Sequence, residues 1–407
     1  MFCLTSRQTY LIQNHMKTWL QPPRLRIGED SEGERHATWL ELFYDLVFVV
    51  AVRQLAHNLN DDVSFSGFCG FVVLFIPVWW SWIGTTLYAN RFDTDDMVHR
   101  IITAMQVLAI AALAVNIHHG LAENAPGFAL AYAAGRALLV LEYIRAGRHV
   151  TAARSLTNYY ARGFAFAALL WLVSAFITPP LRFILWALGL IIDFATPLTA
   201  RKFVAGLLPH ASHLPERFGL FTIIVLGEAI IAVVDGVAEQ EWDIGSAIAA
   251  AFGLSIAFSL WWLYFDNIGV SAVQRARNEG RIAVLNAWLY THLPLVIGIA
   301  ATGVGVEQVL LTEANVALPT PQRWLLCGAV ALCLLALGIL HHTGTIIYCK
   351  IRTKYRLFAA AIVLLIGLVG VGWLPIVVIG LVAIVCGTQV MQDMMQSRPF
   401  TRLSDPE

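Results

Sequence analysis

Charge is what this chain has least of. Only 13% of its 407 residues are charged, with 27 basic and 27 acidic side chains in balance, against 58% hydrophobic residues. Soluble domains carry roughly a quarter charged residues, so too few are present to cover a surface in water. No excess of base exists to hold a nucleic acid, and none is expected as a partner. Cysteine is sparse: Cys3, Cys69, Cys327, Cys333, Cys349 and Cys386 are scattered, and no pair has ligand or redox spacing. They read as small apolar packers. Also missing are a phosphate-cradling loop, a connection long enough to house a soluble catalytic domain, and a His, Ser or Cys constellation at one depth. These absences argue against an enzyme, and no metal or cofactor is expected. The first 37 residues contain no apolar core followed by a small-residue cleavage site, so no signal peptide is expected.

What is present is a series of apolar runs near 20 residues, the length that crosses about 30 Å of hydrocarbon. Twelve are found, at 39–59, 65–89, 99–119, 126–145, 161–179, 181–200, 217–237, 244–265, 282–304, 323–342, 356–372 and 374–394. The expected fold is all-α, a polytopic integral membrane helical bundle whose partner is the lipid bilayer. The turns at Thr178-Pro179-Pro180 and at Trp373 with Pro375 are the weakest boundaries, so counts of eleven or ten stay open. The bases test the count independently. With the N-terminus inside, 23 of the 27 Lys and Arg fall in cytoplasmic segments, two (Arg182 and Arg323) outside, and two (Arg53 and Arg136) within spans. Cytoplasmic loops carry the excess of base in membrane proteins. The expectation is N-in and C-in across a bacterial inner membrane.

The opening of the first run is unusual for a membrane helix. Trp39 to Val50 read WLELFYDLVFVV, with Glu41 and Asp45 one helical turn apart, and Arg53 and His57 follow. Ionisable groups are costly in hydrocarbon and should face protein or water. The longer string HATWLELFYDLVFVVAVRQLAHNL, residues 36 to 59, resembles the opening signature of the bacterial low temperature requirement protein A family. That resemblance implies a role in growth in the cold, and no transported substrate, cofactor or catalytic residue.

The two halves resemble each other. ELFYDLVFVVAVRQL from Glu41 aligns with ERFGLFTIIVLGEAI from Glu216, matching Phe43 with Phe218 and Val50 with Val225. In each half a Trp pair follows, Trp79-Trp80 and Trp261-Trp262, and then an Arg-Ile step, Arg100-Ile101 and Arg281-Ile282. Chance similarity of apolar helices is the competing explanation. The organisation read from this is a cytoplasmic tail at 1–37, a six-helix repeat at 38–200, a cytoplasmic linker at 201–215, a second six-helix repeat at 216–395 and a cytoplasmic tail at 396–407. An even number of helices per unit makes the repeats parallel, an arrangement used by transporters. The N-terminal tail has a mildly amphipathic piece around Tyr10 to Leu20.

The alignment superposes Arg53 on Glu228, which invites a pairing between them. Arg136 and Asp193 also fall mid-span, as does His292 just before Pro294. Arg53, Arg136, Asp193, Glu228 and His292 form the candidate intramembrane charged site, and Glu41 with Asp45 a candidate cytoplasmic entrance. With His292 neutral, the site sums to zero charge, as low dielectric demands. Two explanations stay open: structural ion pairs that fix helix register, or a proton- or ion-coupled pathway in which a carboxylate alternates between arginine and a proton. Glu41 and Asp45 also fit a simpler role, acidic groups at the positive end of a helix dipole. His118-His119 and His341-His342 fall at opposite faces of the bilayer and cannot share a metal, which needs three or four convergent ligands. His57 shares the outer level with the first pair, which leaves room for an external pH sensor. The function expected is a transporter coupled to a small ion or proton, favoured also by helix-interrupting Pro77, Pro197 and Pro294. The alternative is a non-transporting membrane factor that supports envelope function or growth in the cold.

Overall fold

The computed structural model describes residues 21–25, 36–93, 96–200, 203, 207, 212–239, 243–266, 280–343 and 349–397. The amphipathic piece at Tyr10 to Leu20, most of the 201–215 linker, the bases Arg275 and Arg277, and the tail beyond Ser397 lie outside the described residues.

Among those residues are twelve long α-helices: α1 Trp39–Asp61, α2 Phe65–Arg91, α3 Met97–Val115, α4 Ala125–His149, α5 Arg154–Ser174, α6 Leu181–Thr199, α7 His213–Ala238, α8 Ile244–Phe265, α9 Ile282–Leu311, α10 Thr320–Thr343, α11 Cys349–Val369 and α12 Pro375–Ser397. Both doubtful turns separate two helices, α5 from α6 and α11 from α12. A two-residue ladder departs from the all-helical expectation: β1 (Arg24–Leu25) pairs antiparallel with β2 (Phe92–Asp93), Arg24 opposite Asp93.

Nine of the described helices are long and apolar enough to cross a membrane. The other three are α1, α5 and α11. Charge distinguishes α1, with Glu41, Asp45, Arg53 and Asp61, and α11, with Lys350, Arg352, Lys354 and Arg356, while α5 opens on the polar run Arg154 to Asn158. The chain is thus a multi-pass helical protein of membrane type.

It divides into two compact units. Unit 1 comprises Met1–Ala51 and Pro77–Leu214, and unit 2 comprises Val52–Ile76 and Pro215–Glu407. The units therefore differ from a plain division into sequence halves by the end of α1 and the start of α2, which belong to unit 2.

In unit 1, α3 packs on α4, α4 on α5 and α5 on α6. Aromatic rings join them. Tyr143 on α4 meets Tyr88 on α2 edge to face at 5.2 Å and Tyr160 on α5 at 5.3 Å, within a fully buried cluster that includes Phe92 and Phe164. Such edge-on contacts match the ring quadrupoles. Asp96 caps α3, accepting from His99 N at 3.2 Å, and also receives Arg145 Nη2 at 2.6 Å, which ties α3 to α4.

In unit 2, α9 is the most enclosed span and α10 its main neighbour. Glycine makes that possible. A Cβ at Gly303 would stand 2.7 Å from Ala229 Cα on α7, and one at Gly305 would stand 2.8 Å from Leu326 Cα on α10. Small residues let helix backbones approach where the surrounding solvent is hydrocarbon. Cys327, Cys333 and Cys386 are buried free thiols within this packing.

Candidate functional site

The charged residues separate into a group in each unit, and the two groups differ in chemistry.

In unit 2 the close approach of α7 and α9 at Ala229 and Gly303 brings Glu228 beside the end of α1. Arg53 Nη1 lies 3.5 Å from Glu228 Oε1, the pairing anticipated from the superposed halves. The guanidinium is shared: its Nη2 donates to Asp235 Oδ2 at 3.0 Å. Arg53 and Asp235 remain substantially exposed, their side chains 47% and 42% accessible, whereas Glu228 is only 7% accessible. Its Oε2 is buried with no hydrogen-bond partner among the described residues. A third carboxylate, Glu307 on α9, stands within electrostatic reach of Arg53, Glu228 and Asp235. Asn60 Nδ2 donates to Glu307 Oε1 at 3.0 Å, and Gln308 Nε2 donates back to Asn60 Oδ1 at 2.7 Å.

These polar groups form a graded series along the helices. Asn60, Asp235, Glu307 and Gln308 lie in the last turns of α1, α7 and α9. Glu228 is seven residues before Asp235 on α7, about 10 Å further from the helix end at 1.5 Å rise per residue. Three carboxylates therefore face one arginine.

In unit 1 the balance is one to one. Arg136 on α4 donates from Nη2 to Asp193 Oδ1 on α6 at 2.5 Å, and Tyr132, one turn earlier on α4, donates from its hydroxyl to Asp193 Oδ2 at 2.6 Å. Both charged side chains are enclosed, 1% and 0% accessible. The guanidinium carbon also sits 4.3 Å above the Phe164 ring centroid, an arrangement that adds cation–π attraction. Room for the arginine comes from Gly84 on α2, where a Cβ would fall 2.6 Å from Arg136 Nη1.

His292 joins neither group. It is buried among Phe218, Tyr264 and Trp288, with Nδ1 2.7 Å from the Trp288 carbonyl and Nε2 3.1 Å from the Tyr264 hydroxyl. Donation from Nδ1–H to the carbonyl leaves Nε2 to accept from the tyrosine, the pattern of a neutral, satisfied histidine.

Glu41 and Asp45 are buried within unit 1. Glu41 closes a capping box: its backbone N–H donates to Thr38 Oγ1 at 3.2 Å, while Thr38 N–H donates to Glu41 Oε2 at 2.7 Å. That reciprocal pair starts α1, and T-x-x-E at residues 38 to 41 is its sequence signal. The same Oε2 lies 3.3 Å from His213 Nε2, and His213 Nδ1 accepts from Asn90 Nδ2 at 3.1 Å. Asp45 Oδ1 accepts from Trp82 Nε1 at 2.9 Å, joining α1 to α2.

His118 and His119 are mutual neighbours in the turn after α3, with ring centroids 4.0 Å apart. His57 and His342 are exposed and His341 is buried at the end of α10. Among the described residues, no group of three or more His, Cys, Asp or Glu is placed to hold a metal ion. Sequence reasoning missed Asp235, Glu307, Tyr132 and the buried pair of Arg356 with Asp393. Arg356, expected among the cytoplasmic bases, is wholly buried against Asp393, with Gln389 Oε1 2.7 Å from its Nη1.

The family model described as bacterial low temperature requirement A protein (LtrA) matches residues 36–391. The chain is also similar to the uncharacterized protein RA0937 of Rhizobium meliloti (strain 1021), at 30% identity over 304 residues, covering 69% of this chain and 74% of that protein. No solved structure matches.

Proposed function

The chain belongs to the bacterial low temperature requirement A family, and from that premise we propose that it is a proton- or ion-coupled transporter of the inner membrane, with the coupling site in unit 2. The observation that carries this reading is the excess of carboxylate over arginine around Glu228. A buried carboxylate without a full complement of donors is costly in hydrocarbon unless it takes up a proton or a cation. Here Glu228 has one guanidinium, which Asp235 also claims. Arg53 moving toward Asp235 would leave Glu228 to accept a proton, and the return of Arg53 would release it. Exposed charges at Arg53 and Asp235 cannot rest in lipid, so water reaching them from the helix ends is part of the proposal.

In this reading Arg136 with Asp193 fixes the register of α4 and α6, His292 packs the core of unit 2, and Glu41 and Asp45 hold the start of α1. Twelve spans with both termini inside complete it, supported by the partition of 23 bases against two, together with two parallel six-helix repeats, supported by the alignment from Glu41 and Glu216. No catalytic role is proposed for any residue.

The test is reconstitution in liposomes carrying an internal pH dye, with proton and alkali-cation gradients imposed in turn. Gradient-driven flux that Glu228→Gln abolishes supports the reading. A second reading, a non-transporting membrane factor, is favoured by the sealed, charge-balanced pair of unit 1. It predicts no flux under any gradient and cold growth that survives Glu228→Gln.

A further inference from the structure

Unit 1 contains a small cavity, walled in part by Ile110, Gly135 and Leu139, on which a few polar groups converge. It has a volume of about 10 Å³, and its polar lining is Tyr44 from α1, Ser81 and Thr85 from α2, Gln106 from α3 and Arg136 from α4. Arg136 and Gln106 are 1% and 4% exposed. Arg136 Nε and Nη1 and Gln106 Nε2 have no protein hydrogen-bond partner among the described residues. Every one of these unpartnered atoms is a donor. The hydroxyls opposite are in the complementary condition: Ser81 Oγ donates to the Pro77 carbonyl at 2.9 Å, and Thr85 Oγ1 lies 2.9 Å from the Trp82 carbonyl. Ser81 spends its hydrogen on the α2 backbone, and Thr85 has the Tyr44 hydroxyl as a further acceptor at 3.0 Å, so both oxygens keep lone pairs to accept.

We propose that this cavity is a binding site for one water molecule, which accepts from Arg136 and Gln106 and donates to Ser81 and Thr85. Size and charge select water over the other guests that such donors could hold. A cavity of this volume has room for about one water and nothing larger. An anion would suit the donors, but Asp193 already neutralises the guanidinium, and Asp45 lies next to Tyr44 in the chain and bonds Trp82, between Ser81 and Thr85. A second buried negative charge there would lack a counter-charge. Neutral water satisfies both sets of groups without adding charge. It also makes one hydrogen-bonded chain of Asp193, Arg136, water, Thr85 and Tyr44, whose hydroxyl is 3.0 Å from Thr85 Oγ1, so that α6, α4, α2 and α1 are linked through it. This inference holds whether or not unit 2 conducts ions.

The experiment is a high-resolution map of the full chain in nanodiscs, with thermal stability measured in sodium fluoride, chloride, nitrate and gluconate at equal ionic strength. The expected result is one density peak at hydrogen-bond distance from Gln106 Nε2 or Arg136 and from Ser81 or Thr85, lost in Gln106→Leu. No anion should raise the midpoint saturably in the wild type and less so in Gln106→Leu, since a ligand bound to the folded form stabilises to saturation whereas bulk salt effects act on both proteins alike. Should Gln106→Leu fail to fold, Ser81→Ala serves, with the peak displaced toward Thr85. Saturable stabilisation by one anion, reduced in the variant, would replace water with that anion and overturn the proposal. A map with no peak, in which Gln106 and Arg136 have turned to protein acceptors, would overturn it too.

Discussion

Replacing Asp193 by asparagine should destabilise the protein severely, contrary to what its mid-span position alone suggests for a coupling carboxylate. Asp193 is fully enclosed and accepts from both Arg136 and Tyr132. Asparagine keeps the shape and removes the charge, leaving a guanidinium with 1% exposure to face hydrocarbon and aromatic rings. Breaking a buried pair by removing one partner costs about 3–5 kcal/mol. The contact of Arg136 with Phe164 is present in both forms and does not reduce that cost, so a loss of about 3–5 kcal/mol is expected. Removing both charges should be far milder, because no ion is then stranded. Arg136→Met with Asp193→Leu should recover most of the loss, giving a coupling energy of about 2 kcal/mol or more in the double-mutant cycle. Reversible unfolding in mixed micelles, followed by tryptophan fluorescence, measures all four corners. If Asp193→Asn is as stable as wild type, or the double variant is no better than the worse single one, Arg136 and Asp193 are not a structural pair.

Unit 2 should behave in the opposite way. Glu228→Gln should abolish gradient-driven flux in liposomes while stability stays within about 1 kcal/mol, since the accessible Arg53 retains Asp235 and exposed pairs are worth little; wild-type flux in this variant ends the coupling role. Thr38→Ala should cost about 1 kcal/mol by opening the capping box of α1, and an unchanged unfolding midpoint would show that Glu41 is held by its other contacts alone. Reporter fusions at Asp61 and Gln240 should lie outside and fusions at Arg275 and Arg352 inside. Any one of the four on the wrong face breaks the twelve-span topology.

The signals that were legible in the sequence are local or repeated. The start of α1 has a local signal in Thr38 and Glu41 at capping-box spacing, which the reading of Glu41 as a helix-dipole group passed over, and each apolar run falls on one of the twelve long helices among the described residues, nine of them long and apolar enough to cross a membrane. The pairing of Arg53 with Glu228 was reachable only because an internal alignment gave two distant positions a common depth. Asp235 and Glu307 had no such handle. Each is in the last turn or two of its helix, where an acidic residue reads as an interface group, and it is the close approach of α7 and α9, at Gly303 with Ala229 and at Gly236 with Glu307, that brings them together. Arg356 was legible as a base near a helix start, but its burial against Asp393, 37 residues away, was not. Which mid-span charges pair is a property of packing. Arg136 and Asp193, 57 residues apart, could be placed at similar depth but not assigned to each other.

The difference between the two charged groups bears on function more than either does alone. A group that moves ions must be able to change its charge state and must be reachable, and a group that fixes helix register needs neither. The pair in unit 1 is balanced one to one, sealed, and reinforced by Tyr132 and Phe164, so any change in its protonation leaves an ion stranded. In unit 2 three carboxylates share Arg53, that arginine is nearly half accessible, and Glu228 keeps an oxygen without a donor among the described residues. One added proton brings that group nearer to neutrality, whereas one added to Asp193 takes unit 1 away from it. On electrostatic grounds, uptake of a proton or cation is therefore less costly around Glu228 than around Asp193, and in the proposed reading the coupling group belongs to unit 2.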